Sequence, residues 1–218
     1  MARETAASAN RDRLLVAASR LIHQRGFTRT RLADVATEAG VAPGSVYFYF
    51  RSKDDIAVAI VDRRLERLER ALATAAGRPD PVSRLDAVIA IWADDREIDA
   101  TYGCPIGSLC YELSRRRGAL GAKAGEPLRV LLRWCEQRFD EMGMAGESPG
   151  LAAHLVMALQ GASLVGHAFG DPAMIAAETD RLKAWIRALA PPPPRSVHRA
   201  RTAAGGNRHF PDNEEETS

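Results

Sequence analysis

Residues 41–55 read VAPGSVYFYFRSKDD and place four aromatic side chains in a row in a chain that is only 6% aromatic. Successive residues of a helix turn by about 100°, so four neighbours cover most of the circumference and cannot all face one core. Pro43 and Gly44 precede the aromatic run, and residues 52–55 form a capping box that opens another helix. The stretch therefore predicts a very short helix between two turns, with at least one aromatic side chain exposed.

Two further helices are predicted on the N-terminal side of this stretch. Asn10 can cap a first helix that ends just before Gly26. Thr30 is predicted to cap a second, short helix over residues 31–38, and Gly40 suits a positive φ in the turn that follows. Two short helices joined by a glycine-containing turn form a helix-turn-helix, whose second helix can enter a DNA major groove.

Charge is distributed unevenly along the chain. The residues up to Lys53 carry nine basic and four acidic side chains, whereas the whole protein has a net charge of only +2. A small basic domain on a mildly acidic body is expected of a protein that docks on a polyanion. An ordinary solvated, arginine-rich helix surface is the alternative explanation.

The rest of the chain predicts more helices and no strands, because leucine and alanine abound and β-branched runs are missing. Cap-then-proline pairs mark most of the helix starts. An all-α protein of about nine helices is expected. The later helices are predicted from Ser52 to about Ala76, from Asp80 to about Glu97, from Cys104-Pro105, from Glu126-Pro127, from Ser148-Pro149 to Phe169, and from Asp171-Pro172 to Leu189. Residues 191–218 contain almost no apolar side chains and are predicted to be a disordered tail.

Several classes of protein are not expected. We predict no membrane span, on the expectation that no uncharged apolar stretch reaches 18 residues, and no signal peptide, because the N-terminus lacks an apolar segment. A cytoplasmic protein follows. Cys104, Cys110 and Cys135 form no CxxC pair, which argues against a disulfide framework or a zinc site. No catalytic triad, phosphate loop or metal cluster is recognisable, so neither an enzyme nor a cofactor is predicted.

The first fifty or so residues resemble the DNA-binding domain of the TetR family of bacterial transcriptional regulators. The shared pattern includes Arg-Gly-Phe at the end of the first helix, Ala-Gly-Val in the turn, Gly-x-x-Tyr in the aromatic helix and Tyr-Phe-x-x-Lys after it. The resemblance implies an N-terminal arm and three-helix DNA-binding domain over residues 1–52. It also implies a ligand-binding and dimerisation domain over residues 53–190. The expected function is a ligand-responsive, homodimeric repressor of a palindromic operator.

The resemblance assigns DNA contacts to the second helix and to the aromatic helix. Arg31 can bind guanine through its fork of donors, and the Tyr47 and Tyr49 hydroxyls can reach phosphate oxygens. Val46 and Phe50 are expected in the core, while the direction of Phe48 is open. The family usually begins this helix with a Ser or Thr cap, and this chain has Ala42. The predicted DNA-binding residues are Thr30, Arg31, Ala42, Pro43, Gly44, Ser45, Tyr47, Phe48, Tyr49 and Lys53.

The last two helices are predicted to form the dimer interface. Residues 149–169 are apolar nearly all round, and a helix that is apolar on every side must be covered on every side. The resemblance implies that two such helices from each protomer pack as a four-helix interface. His154 and His167 are interpreted as interface or core residues and not as metal ligands. The predicted interface residues are Leu155, Leu159, Ala162, Val165, Leu182, Trp185 and Ile186.

A small-molecule effector site is implied among the middle helices. Aromatic residues at helical spacing are more often plain core, but the family binds effectors in a cavity in this region. No charged residue stands out as a partner for the ligand, so an apolar or aromatic effector is preferred. The predicted ligand-binding residues are Trp92, Tyr102, Cys104, Tyr111, Trp134 and Phe139.

Cys104 precedes a predicted helix N-terminus, where the helix dipole lowers a thiol pKa. A regulator that senses oxidants or electrophiles through Cys104 is therefore one alternative function. A small residue packed at a helix start is the simpler interpretation. A helical ligand-binding adaptor that does not bind an operator is the other alternative.

Overall fold

A computed structural model describes residues 2–116 and 118–190, and the side chains from residue 8 onward. The all-α prediction is confirmed, because the described residues form helices and contain no strand. The predicted disordered tail, residues 191–218, lies outside the described residues. The helices are α1 (Ala2–Arg25), α2 (Leu32–Ala39), α3 (Val46–Tyr49), α4 (Lys53–Ala76), α5 (Pro81–Asp94), α6 (Arg96–Tyr102), α7 (Pro105–Ser114), α8 (Ala119–Ala124), α9 (Glu126–Glu141), α10 (Ser148–Phe169) and α11 (Pro172–Leu189).

The cap residues explain where the later helices begin. The Ser52 hydroxyl accepts a hydrogen bond from the Asp55 N–H at 3.1 Å. Asp80 accepts from the Ser83 N–H at 2.9 Å, and Asp171 accepts from the Ala173 N–H at 2.9 Å. Each cap satisfies an N–H that has no partner within its helix, so the predicted starts of α4, α5 and α11 are confirmed.

The predicted helices differ from the observed ones in several places. α1 begins at Ala2, before Asn10, whose side-chain oxygen accepts from Arg13 at 2.7 Å within the helix. The aromatic helix is split into a 3-10 turn, Pro43–Ser45, and the four residues of α3. The helix expected to reach Glu97 ends at Asp94 and is followed by α6. The short helices α6 and α8 account for the helices beyond the nine expected.

The helices enclose two hydrophobic cores. The first core packs α1, α2 and α3 against the first half of α4 and against α7, and includes Leu14, Val46, Ile60 and Leu113. The second core packs the second half of α4 against α5, α9, α10 and α11. α7 therefore belongs to the N-terminal core, although it follows α6 in the chain. The domain boundary near residue 52 remains a prediction.

α10 corrects one premise of the sequence analysis. Its 22 residues contain no Asp, Glu, Lys or Arg, so an uncharged apolar stretch of more than 18 residues does exist. By length and composition alone α10 is long and apolar enough to cross a membrane. A central helix of a bundle has the same composition, and α10 packs against α6, α9 and α11 with Leu155 and Leu159 fully buried.

Candidate nucleic-acid interface and effector cavity

The aromatic run divides between the core and solvent. Val46 and Phe50 are buried, as predicted, because residues four apart share one face of a helical turn. Tyr47 is 60% exposed and Phe48 is 81% exposed. Tyr49 is half-buried against the N-terminal core, and its ring meets that of Phe48 edge to face at 5.1 Å. Phe48, whose direction was open, is therefore the most exposed of the four.

An exposed arginine and an exposed turn lie beside these aromatic side chains. Arg31 is exposed, and its backbone N–H donates to the Asp34 carboxylate at 3.2 Å, which closes the first turn of α2. Within the described residues no carboxylate lies within ion-pair distance of the Arg31 guanidinium. Ala42, Pro43 and Gly44 are exposed and Ser45 is half-buried, so the backbone here is open to close approach.

Two predicted DNA-binding residues are engaged inside the protein. Thr30 is buried, and its hydroxyl donates to the Gly26 carbonyl at 2.8 Å. Arg31, not Thr30, occupies the cap position of α2, so the predicted cap is wrong, whereas the DNA contact of Thr30 remains a prediction. The Lys53 ammonium donates to the Thr28 carbonyl at 3.1 Å and lies 4.4 Å from the centre of the Phe27 ring. Burial lowers the pKa of Lys53.

α7 holds the helix-turn-helix against the rest of the protein. The Glu112 carboxylate accepts hydrogen bonds from the Thr28 N–H at 2.9 Å and from the Thr28 hydroxyl at 3.2 Å. Gly26 has a φ of +83°, which favours glycine, and a Cβ at this position would lie 2.4 Å from a Glu112 oxygen and displace that side chain. Arg116 at the end of α7 forms an ion pair with Asp54 on α4.

A cavity of about 550 Å³ lies between α1, α4, α5, α6 and the start of α7. Two of the predicted ligand-binding residues, Trp92 and Cys104, line it. Leu68, Ile91 and Ile106 provide an apolar wall. A volume of this size is within the range that small-molecule sites occupy in proteins.

The other predicted ligand-binding residues lie elsewhere. Phe139 is fully buried in the second core, with its ring 5.9 Å from that of Trp185. Trp134 is half-buried beneath the Arg138 guanidinium, and Tyr111 is exposed. Tyr102 stacks near His23 with ring centres 5.7 Å apart, beside the cavity and not in its lining. The helical spacing of the aromatic residues predicted which of them share a helix face, but it could not predict which face lines the cavity.

Charged residues line the cavity, contrary to the expectation that none stands out. They come mainly from α4, where arginines recur at helical spacing, and this recurrence was the available sequence signal. The charged lining residues are Arg20, Arg63, Arg64, Arg67, Arg70, Asp95 and Asp99.

The cysteines are buried or half-buried and are not paired with one another. The Cys104 sulfur accepts from the Gly107 N–H at 3.5 Å, as expected at a helix start, but burial raises the pKa of Cys104. Burial also raises the pKa of Cys135 to about 12. The expected lowering of the Cys104 pKa by the helix dipole is therefore wrong, because desolvation of the thiolate outweighs it.

Most of the predicted dimer residues face the interior of the protomer. Leu155, Leu159, Leu182 and Ile186 are buried in the second core, and Ala162 is also buried, so these residues offer little surface to a partner. Trp185 is half-buried beside His154, whereas Val165 is exposed. The exposed large apolar residues of α10 and α11 are Met157, Leu164, Val165, Phe169 and Met174.

The two histidines of α10 have packing roles. His154 meets the Trp185 ring edge to face at 4.8 Å. A ring nitrogen of His167 lies 3.1 Å from the Ala100 carbonyl oxygen. No three His, Cys, Asp or Glu residues gather as a metal site would in the part of the chain that the structure describes.

Comparison with known proteins identifies a family in the N-terminal region. The sequence model described as "Bacterial regulatory proteins, tetR family" matches residues 14–60. An uncharacterized HTH-type transcriptional regulator of Lactococcus lactis subsp. lactis is 28% identical over 182 residues, which cover 79% of this chain and 91% of that protein. The HTH-type transcriptional regulator BetI of Brucella anthropi is 39% identical over 82 residues, which cover 37% of this chain and only 42% of that protein.

The fold of the whole chain has relatives among solved structures. A transcriptional regulator of the TetR family from Agrobacterium tumefaciens superposes with a TM-score of 0.73. It is 23% identical, and the match covers 82% of this chain and 98% of that structure. The similarity therefore extends over the C-terminal helices as a similarity of fold.

Proposed function

The chain belongs to the TetR family of bacterial regulatory proteins, and from this premise we propose that it is a homodimeric, ligand-responsive repressor of a palindromic DNA operator. Members of the family are DNA-binding transcriptional regulators with a helix-turn-helix, and they are not enzymes. A cytoplasmic location, where the DNA lies, is part of the proposal.

The exposed surface of α3 and its preceding turn carries the DNA-binding part of the proposal. Tyr47 and Phe48 project from a short helix whose other side is anchored by Val46 and Phe50. The hydroxyl of Tyr47 can reach a phosphate oxygen, the ring of Phe48 can contact a thymine methyl group, and Arg31 can bind a guanine edge.

The exposed apolar side chains of α10 support a dimer. Met157 and Leu164 are seven residues apart and therefore share one face of α10, and the half-buried Gly161 between them permits close approach of a second helix. A two-fold axis through this stripe would bury the same residues of both protomers. It would also present two DNA-binding domains to one duplex, as a palindromic operator requires.

α7 provides a physical route from the cavity to the DNA-binding domain. Its first residues, Pro105 and Ile106, line the cavity, and its later residues Glu112 and Leu113 contact the N-terminal core. A second link lies beside it, where the His23 ring on α1 donates a hydrogen bond to the Gly103 carbonyl at 2.7 Å. A ligand that displaces the start of α7 would tilt the DNA-binding domain and change the separation of the two copies.

The proposal is tested by titrating the protein against fluorescent duplexes from its own upstream intergenic region at several salt concentrations. Specific binding should occur at nanomolar to micromolar protein, and affinity should fall steeply with salt because phosphate contacts release counterions. A shuffled duplex of the same composition is the control. Equal binding to both duplexes, or no binding at low salt, would overturn the operator proposal and favour the adaptor alternative.

A further inference from the structure

The arginines that line the cavity carry more positive charge than the carboxylates paired with them neutralise. Three of its arginines have acidic partners, since Arg20 pairs with Glu38, Arg67 lies 4.0 Å from Asp95, and Arg70 lies 3.9 Å from Glu66. Within the described residues no carboxylate lies within ion-pair distance of Arg63 or Arg64. Of these two, Arg63 is exposed to solvent and Arg64 is half-buried in the wall.

Arg64 is the unneutralised cation at the deeper position. One of its guanidinium nitrogens donates to the Pro105 carbonyl, so the side chain is held across the cavity between α4 and α7. A carbonyl oxygen satisfies one donor of a group that has five and supplies no negative charge. Burial lowers the pKa of Arg64 to about 10, because the charged guanidinium is withdrawn from water.

The two acidic side chains of the cavity do not compensate Arg64. Asp95 is directed to Arg67, and the buried Asp99 carboxylate accepts a hydrogen bond from the Ser163 hydroxyl at 2.6 Å. Burial is also the main reason why the pKa of Asp99 is raised, which favours its neutral form. The cavity therefore keeps an excess of positive charge when empty.

A second donor in the lining lacks a partner. Trp92 is only 5% exposed, and its indole N–H is buried without a hydrogen-bond acceptor among the described residues. A buried donor left unsatisfied carries a free-energy cost, which an acceptor oxygen that reached it would remove. The side chains of Arg64 and Trp92 can donate hydrogen bonds but cannot accept them. Both therefore favour a ligand atom that accepts hydrogen bonds, such as an oxygen.

We propose that the cavity binds an amphipathic organic anion, whose acidic group pairs with Arg64 and whose apolar body packs against Leu68, Ile91 and Trp92. The apolar or aromatic effector expected from the sequence is thereby narrowed to one that carries a carboxylate, sulfonate or similar group. The inference depends on the proposed function in one respect, that this anion is the effector of the repressor. Its binding can be measured without DNA.

Two dyes with the same aromatic body separate charge from hydrophobicity. One probe is 8-anilinonaphthalene-1-sulfonate, and the other is N-phenyl-1-naphthylamine, which lacks the sulfonate. Arg64→Gln removes the cation and keeps an N–H donor toward Pro105. It should weaken sulfonate-dye binding by about ten- to a hundredfold, the range of a charge-assisted hydrogen bond, and change binding of the neutral dye by less than about twofold. Trp92→Phe should weaken the sulfonate dye by roughly two- to tenfold.

Arg181→Gln is the matched control, because it removes the same charge from an exposed position on α11 that does not line the cavity. It should leave the affinities for both dyes within about twofold of wild type. Neutral-dye binding and thermal unfolding report whether Arg64→Gln retains its fold, and Arg64→Lys should retain more sulfonate-dye affinity than Arg64→Gln. Equal effects of Arg64→Gln on both dyes, or none on either, would overturn the anion proposal. Failure to bind DNA would overturn the repressor proposal and leave the dye comparison intact.

Discussion

The Glu112 carboxylate of α7 accepts a hydrogen bond from the backbone N–H of Thr28 at 2.9 Å, across the junction between the helical body and the helix-turn-helix. The same side chain lies against Gly26, where no larger residue fits without displacing it. Glu112 thus holds the turn between α1 and α2 against α7, and the first residues of α7 line the cavity. In the proposed repressor, this junction connects the effector cavity to the DNA-binding domain.

Glu112→Ala should weaken the junction by about 1 kcal/mol, the usual net contribution of a hydrogen bond. The amide of Thr28 would lose its acceptor and should exchange with solvent faster, as hydrogen exchange followed by NMR would detect. Glu112→Gln keeps an oxygen acceptor and should preserve more of the protection. An unchanged exchange rate at Thr28 in the alanine variant would contradict the proposed role of the Glu112–Thr28 hydrogen bond.

Arg31→Ala should reduce operator affinity by about 1–3 kcal/mol and relax the preference at one base position, because a bidentate contact to guanine is lost. Tyr47→Phe removes only a hydroxyl and should weaken binding to all sequences alike. Arg181→Ala is the control, since Arg181 is an exposed arginine on α11 that pairs with Glu178 at 2.7 Å. Fluorescence anisotropy on a set of single-base operator variants measures both effects, and equal losses for Arg31→Ala and Arg181→Ala would refute the assignment.

Leu164→Asp should raise the dissociation constant of the dimer by roughly 30-fold or more. Leu164 is 68% exposed in the protomer, and a two-fold axis would bury two new, unpaired carboxylates. Sedimentation velocity over a range of concentrations is the measurement. Tyr111→Asp changes an exposed residue on α7 and should leave the association unchanged.

Leu155→Ala distinguishes the protomer core from the partner surface. Leu155 is fully buried, so its truncation should cost about 2–5 kcal/mol of protomer stability by leaving a cavity. If Leu164→Asp stays dimeric, the exposed stripe of α10 is not the interface.

The stability of the junction should fall at mildly acid pH through His23. Its ring donates to the Gly103 carbonyl, and burial is the main reason why its pKa is lowered from 6.5. The unfolded chain therefore binds a proton before the folded one, and stability is lost as pH falls below about 6.5 through the folded-state pKa. Arg64 opposes the protonation of His23, as does His167, whereas Asp95 favours it.

His23→Gln keeps an N–H donor and does not titrate, so the difference in unfolding free energy between wild type and this variant should shrink as pH falls from 7.5 to 5.5. Urea denaturation at several pH values provides the comparison. A difference that is independent of pH would show that His23 is not responsible.

Thiol reactivity separates the redox alternative from the repressor proposal. Burial raises the pKa of Cys104, so iodoacetamide should modify it slowly at pH 7.5 in the folded protein and rapidly after unfolding. Cys104→Ser should leave any oxidant-induced loss of DNA binding unchanged. Fast modification of native Cys104, followed by mass spectrometry, would restore the redox alternative.

Cap residues in the sequence predicted several helix starts, because capping depends on interactions between residues that are close in the chain. The caps at Ser52, Asp80 and Asp171 each satisfy a nearby N–H, so their helix starts were predictable. Thr30 carries the same type of side chain, but its hydroxyl turns back to the Gly26 carbonyl and is covered by the packing of the N-terminal core. A cap and a buried back-bonding threonine cannot be distinguished without the neighbours that cover them.

The amino-acid sequence by itself determined the helical class, the order of the helices other than α6 and α8, and the presence of a helix-turn-helix that matches the TetR family. These depend on periodicity, capping and turn residues, which act over a few positions. Only the tertiary structure decided that Phe48 points outward, that Leu155 lies inside the protomer, and that Arg64 lines a cavity with no carboxylate at ion-pair distance among the residues described. Helical periodicity shows which residues share a face, but what that face meets depends on helices distant in the chain.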